Sequence, residues 1–165
     1  MRRITHLNRL GEIKMVDVSA KEVTKRRAVA TGHVRLPPAI ARAIRTNRVA
    51  KGNVLEAARL GAIQAAKKTS ELIPLCHPIP LSHVAVEFQL KRGELRIRAE
   101  VRAEAKTGVE MEALAAVSVA ALIVYDMCKG LDKGMEIGPI ELLEKEGGKS
   151  GHYRKLTTKA RRTKG

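Results

Sequence analysis

Three short stretches of the 165-residue chain hold side chains able to move protons or meet phosphates. In Tyr125-Asp126-Met127-Cys128-Lys129, Asp126 and Lys129 stand three residues apart. On a helix that spacing puts them on one face, where the ammonium keeps the carboxylate ionised or a bound phosphate keeps the lysine charged. Such a pair can be an acid/base couple, and it can equally be an exposed ion pair with no catalytic part. Between Glu71 and Pro80, three prolines stiffen the segment that carries Cys76 and His77. A stiff loop suits an imidazole acid or base, although a backbone hydrogen bond can account for the same imidazole. Glu110 and Glu112 open the segment that ends in Asp126 and Lys129. The first turn of a helix favours acids whether or not they react.

Metal chemistry is disfavoured. Cys76 and His77 are adjacent, Cys128 is isolated, and no paired C-x-x-C or H-x-x-x-H spacing occurs. Two cysteines make no disulfide framework, and a reducing cytoplasm suits them. Lys51-Gly52-Asn53 and Gly147-Gly148-Lys149-Ser150-Gly151 resemble phosphate-cradling loops only loosely, because Gly-x-x-x-x-Gly-Lys-Ser/Thr is missing.

The elements that must position these residues follow from periodicity. Residues 1–22 show no period and read as an irregular arm. Ala28–Leu36 reads as a strand stopped by Pro37-Pro38, followed by a short amphipathic helix on Ile40, Ala43 and Ile44. Asn53 caps a second helix, with Glu56 three residues on, that runs to about Thr69. Val84–Leu90 and Leu95–Ala103 alternate apolar with polar residues around a turn at Arg92-Gly93, which predicts a long hairpin. A helix over Glu110–Lys129 ends at Gly130, and Glu136–Lys145 forms a last strand that tolerates Pro139 only at an edge or bulge. This order predicts an α+β ferredoxin-like sandwich, an antiparallel sheet packed on helices with one helix inserted. Ala113, Ala116 and Ala120 are expected on the non-core side of the long helix, inviting a second chain, although an Ala-rich face can equally be plain helix propensity.

Composition bounds the partners. With 44% hydrophobic residues the chain can build a core, and no run reaches the roughly 18 apolar residues of a membrane span. The formal charge of +15 first suggests nucleic acid. Phe88, Tyr125 and Tyr153 are too few aromatics for a base-stacking platform. The charge is also uneven. Residues after Glu146 contribute +7 and those before Glu12 contribute +3; residues 24–68 carry +10 and residues 71–146 carry −4. A basic flexible tail over 152–165 and a polarised body, 23–151, follow. The body's basic segment reads as an anion pocket, a subunit contact or a solvated helix face.

Several segments together resemble one family, the cyclic pyranopterin monophosphate synthases of molybdenum cofactor biosynthesis. They are Thr5–Leu7, Met15–Ser19, Leu72–Pro78, Thr107–Leu114, Tyr125–Lys129 and Gly147–Gly151. The resemblance implies a ferredoxin-like enzyme that converts a cyclised GTP derivative, 3',8-cyclo-7,8-dihydro-GTP, to cyclic pyranopterin monophosphate with release of pyrophosphate. It implies Asp126 as the catalytic carboxylate with Lys129 beside it, and Leu75, Cys76, His77, Met111 and Glu112 lining the substrate site. Lys51, Arg26 and Lys145 match basic positions around substrate and phosphates. It implies no cofactor other than, at most, magnesium travelling with the triphosphate, and a homohexamer built as a trimer of dimers with sites between subunits. Helical rise agrees with that last point, since Glu112 and Asp126 would lie roughly 21 Å apart along one helix. Asn8 stands where the family often has Asp and Ala115 where Thr is usual, and the basic tail exceeds the family's usual ending. The competing readings are a basic protein directed at nucleic-acid backbone and an inert scaffold subunit.

Overall fold

The computed structural model describes residues 10–91, 93–149 and 151–156; Thr5–Leu7, Asn8 and the basic residues after Leu156 lie outside them. Alternating polarity builds four long strands, β1 (Thr24–Arg35), β2 (Leu81–Lys91), β3 (Glu94–Ala105) and β4 (Glu136–Glu146). With a short β5 (Tyr153–Arg154) they form one antiparallel sheet in the order β2-β3-β1-β4-β5. The helices are α1 (Pro38–Arg45), α2 (Val54–Lys67), the single turn α3 (Thr69–Leu72) and α4 (Glu110–Cys128). The Asn53 side chain accepts from the Glu56 amide at 3.2 Å, the N-cap that starts α2. The order β1-α2-β2-β3-α4-β4, with β1 between β3 and β4, is the ferredoxin-like α+β sandwich, and α1 is the inserted helix.

Strand alternation sends Ala28, Ala30 and Val34 of β1 under the helices, against Ile97, Ala99 and Val101 of β3. The opposite face carries Arg27, Val29 and Thr31. There Glu100 is gripped by Arg27, Arg98 and Arg102, and these side chains lie over buried Val29 and Thr31. That compensation explains why β1 begins at Thr24, four residues ahead of the apolar run: Arg27 is paired with Glu100, Glu144 and Glu146 from the neighbouring strands.

One expectation is corrected. Ala113, Ala116 and Ala120 do not face outward; they are fully buried with Val117 and Val124. Helix α4 is apolar almost all round, so its pattern shows no preferred face, and close packing chooses the small one. A Cβ at Gly32 of β1 would overlap Val117, and one at Gly61 of α2 would overlap Ile123. The larger Met111 and Leu122 are left outward. Helix α4 is also long and apolar enough to cross a membrane, yet here it is a core helix, packed on β1, β3 and β4 beside α2.

Of the basic end only residues 152–156 are described: Tyr153 and Arg154 pair with Lys145 and Glu144, His152 bonds Glu144, and Lys155 bonds Glu141. Pro139 sits where β4 has no outer neighbour and its pairing with β1 shifts register, as an amide lacking a hydrogen requires.

Candidate active site

The last turn of α4 presents Asp126 to two lysines. Lys129 Nζ lies 2.7 Å from Oδ1, and Lys51, brought over by the loop between α1 and α2, lies 3.0 Å from Oδ2. Lys51 also donates to the Asp126 carbonyl at 2.9 Å, which fixes it to the helix end. Hydrogen bonds from Lys129 and then Lys51 pull the Asp126 carboxyl down to about 2, and Asp126 in turn holds the Lys129 ammonium above its usual range. All three side chains are about half exposed, so this corner is open on one side. It is a carboxylate that rests ionised between two cations.

The first turn of α4, at the other end of the molecule, builds a different environment. Glu112 is 3% exposed, and burial, with Glu110 adding repulsion, lifts its carboxyl to about 7. It lines a chamber of about 270 Å³ with Leu75, Cys76, His77 and Met111. Burial and the neighbouring Glu112 push the Cys76 thiol upward, which disfavours its thiolate. His77 Nε2 donates to the Val16 carbonyl at 2.8 Å. The backbone hydrogen bond and the cavity position therefore coexist, and the bond leaves Nδ1 as the imidazole atom able to exchange a proton.

A larger cleft of about 890 Å³ adjoins the chamber, sharing Lys21, Thr107, Gly108 and Glu110 with it. Its walls bring together Lys21, Arg26, Lys106, Lys145 and Lys149. The Arg26 Nε donates to the Ala105 carbonyl at 3.1 Å, which aims the guanidinium. Gly147 is required beside it, since its φ is +97° and a Cβ would overlap the Lys25 carbonyl oxygen. Five cations around one cleft suit a polyphosphate. Lys21 and Lys106 escape sequence reasoning because they come from the arm and the end of β3, whereas Lys149, after β4, lies in the glycine-rich stretch already noted as loosely like a phosphate loop. Only the Met15–Ser19 and Gly147–Gly151 matches point toward them.

The ten residues singled out in sequence thus fall into two groups. Lys51, Asp126 and Lys129 meet at the C-terminal end of α4. Arg26, Lys145, Leu75, Cys76, His77, Met111 and Glu112 gather at its N-terminal end. Residues 15–148, which include all ten, match the MoaC family. The chain belongs to that family. Among relatives named cyclic pyranopterin monophosphate synthase, the protein of Geotalea uraniireducens is 57% identical over 152 residues, covering 91% of this chain and 95% of its own. That of Heliobacterium modesticaldum is 53% identical over 152 residues, with 91% and 96% covered. The Thermomicrobium roseum relative is 51% identical over 163 residues and 98% of both chains. Its match takes in the basic end as well, so this tail does not exceed every MoaC-family ending.

Among the described residues one trio has the spacing for a metal ion, Glu144, Glu146 and His152. Arg27 already bonds both of its carboxylates, so the MoaC-family chain fills that place with its own cation.

Proposed function

We infer that this chain is a cyclic pyranopterin monophosphate synthase: it converts 3',8-cyclo-7,8-dihydro-GTP to cyclic pyranopterin monophosphate and releases pyrophosphate, an early step of molybdenum cofactor biosynthesis. Membership of the MoaC family and the names of relatives more than half identical to it support the activity. The observation that carries the catalytic reading is the split of the site between the two ends of α4. The end with Lys21, Arg26, Lys106, Lys145 and Lys149 receives the triphosphate and offsets charge on the departing pyrophosphate. Glu22 and Glu110 line the same cleft and would be the carboxylates available to magnesium if it accompanied the triphosphate. Asp126 is ionised and accepts a proton from the opening ring; Lys129 or His77 returns one.

Fourteen residues of helix separate Glu112 from Asp126 by roughly 21 Å, too far for one small substrate to touch both on a single chain. A second copy completes the site. Met111 and Leu122 are exposed on the face of α4 that also carries Asp126, with part-exposed Ala115 and Ser118 between them. Two such helices packed antiparallel about Ser118 set Asp126 of one copy beside the Met111 and Glu112 end of the other. Three such dimers make the hexamer we propose. The location we assign is cytoplasmic, in keeping with free Cys76 and Cys128.

The test is pyrophosphate release from the cyclised GTP substrate by wild type and Asp126→Asn. The Asn variant should lose turnover while its oligomer stays intact; an active Asn variant overturns the assignment of Asp126.

A further inference from the structure

Arg42, Arg45 and Arg48 belong to the most basic stretch of the body, yet neither half of the catalytic site uses them. We propose that the cleft between the end of β1 and α1 is a second anion site, which takes a diphosphate or longer phosphate chain. The cleft encloses about 640 Å³ and shares no lining residue with the two cavities at the other end of the molecule. Arg42 and Arg45, three residues apart on α1, stand on one wall, and Arg35 at the end of β1 stands on another. Buried Leu36 and Ala41 form its floor. The hairpin tip is fixed against it by the Leu36 amide, which donates to the Gly93 carbonyl at 2.7 Å.

Charge balance points to the ligand. Arg35 is 3.3 Å from Glu136, and Glu94, the carboxylate on the cleft wall, is 2.9 Å from His33 Nδ1. Among the described residues Arg42 and Arg45 have no carboxylate partner. The C-terminal dipole of α1 supplies about half a negative charge to be shared by both guanidiniums. Set against that half charge and the Glu94 carboxylate, whose His33 partner is charged only when protonated, the two exposed guanidiniums leave the cleft net positive by about half a unit. A guanidinium meets phosphate through two parallel N–H bonds, so two or three arginines around one cleft suit linked phosphates better than a single carboxylate. Free pyrophosphate and the phosphate chain of a nucleotide share this chemistry.

Isothermal titration of the full-length oligomer with inorganic pyrophosphate, and separately with GTP, tests the site. Wild type should show two classes of site. Arg42→Ala/Arg45→Ala should lose one of them, with affinity there falling at least roughly tenfold. Arg26→Ala/Lys145→Ala should lose the other class only. Arg48→Ala, equally basic but outside the cleft, should change neither by more than about twofold. Tighter binding of GTP in the Arg42/Arg45-dependent class assigns a nucleotide, and equal binding assigns free pyrophosphate. Identical titrations of wild type and Arg42→Ala/Arg45→Ala overturn the proposal, as does an equal loss in Arg48→Ala, which means diffuse charge. Turnover keeps this outcome separate from the catalytic reading: kcat/KM of Arg42→Ala/Arg45→Ala should stay within about twofold of wild type. A large fall would make the cleft part of the catalytic site and overturn its independence.

Discussion

Asp126 and Glu112 sit on one helix and are driven in opposite directions. Lys129 and Lys51 hold Asp126 at about 2, whereas burial lifts Glu112 to about 7. One helix therefore carries a carboxylate that stays charged and a carboxyl that keeps its proton near neutrality. Environments that separate two carboxyl groups in this way divide base from acid.

The charged end is the simpler to test. Asp126→Asn keeps the shape and removes the negative charge that Lys51 and Lys129 face, so pyrophosphate release should fall by at least about a hundredfold. Lys51→Ala leaves the Lys129 bond in place and should cost less than Asp126→Asn. Both should elute at the wild-type size on gel filtration, since the side chains are half exposed.

The buried end should appear in stability against pH. The folded-state value for Glu112 lies above its ordinary 4.5, so the native chain binds the extra proton between about 4.5 and 7. Stability linked to this group is complete below the lower value and is lost as pH rises through the higher one. The full shift is worth about 3 kcal/mol. Glu112→Gln removes this dependence: its melting temperature should exceed that of wild type at pH 8 and approach it at pH 5. Parallel wild-type and Gln curves would mean that Glu112 is solvated.

The hairpin was legible because each of its strands contrasts an apolar with a polar face, and Leu90 meets Leu95 as that alternation requires. The orientation of α4 was not. From Met111 to Val124 nearly every side chain is apolar or small, so helical periodicity had no contrast to display. What fixes its inward face lies elsewhere in the chain, at Gly32 and Gly61, whose missing side chains admit Val117 and Ile123. Asp126 and Lys129 were readable from local spacing, but Lys51 joins them across 75 residues; its own segment suggested only a loose phosphate loop, and the resemblance alone tied it to the substrate. Lys21, Lys106 and Lys149 converge from three segments, and no local pattern encodes such a convergence.

Gly32 gives a packing test. A methyl group there meets Val117 inside a fully buried layer, so Gly32→Ala should cost about 1–3 kcal/mol through overpacking. Val117→Ala alone leaves a cavity and should cost about 2 kcal/mol. The double variant should lose less than the sum, because the added methyl fills part of the space removed. Thermal denaturation of the four proteins checks this, and strict additivity would mean the two residues do not touch.

The Glu100 cluster should govern acid sensitivity. Bonds from Arg27 first, then Arg102 and Arg98, hold this nearly buried carboxyl at about 2, below its ordinary 4.5. The stability it contributes is present above about 4.5 and lost as pH falls toward 2. Glu100→Gln leaves three arginines around a neutral amide and should destabilise the chain by about 3 kcal/mol at pH 7. Denaturant midpoints for the two proteins should converge near pH 2.5, the chosen acid endpoint, where wild type is also losing the charge.

The proposed division of the site between copies makes a demand that no single-chain site can meet. Asp126→Asn spoils one end of α4 and Glu112→Gln the other, so each variant oligomer alone should be nearly inactive. If Asp126 of one copy works with Glu112 of the other, a mixed dimer places both lesions in one of its two sites and leaves the second intact. Dissociating and reassociating equal amounts of the two variants should then restore roughly a quarter of wild-type activity, half the dimers being mixed and each retaining one good site. Leu122→Lys, which puts a charge on the exposed face of α4, should abolish that recovery together with the dimer. No recovery from a mixture shown to have exchanged subunits would place both ends of α4 in separate sites.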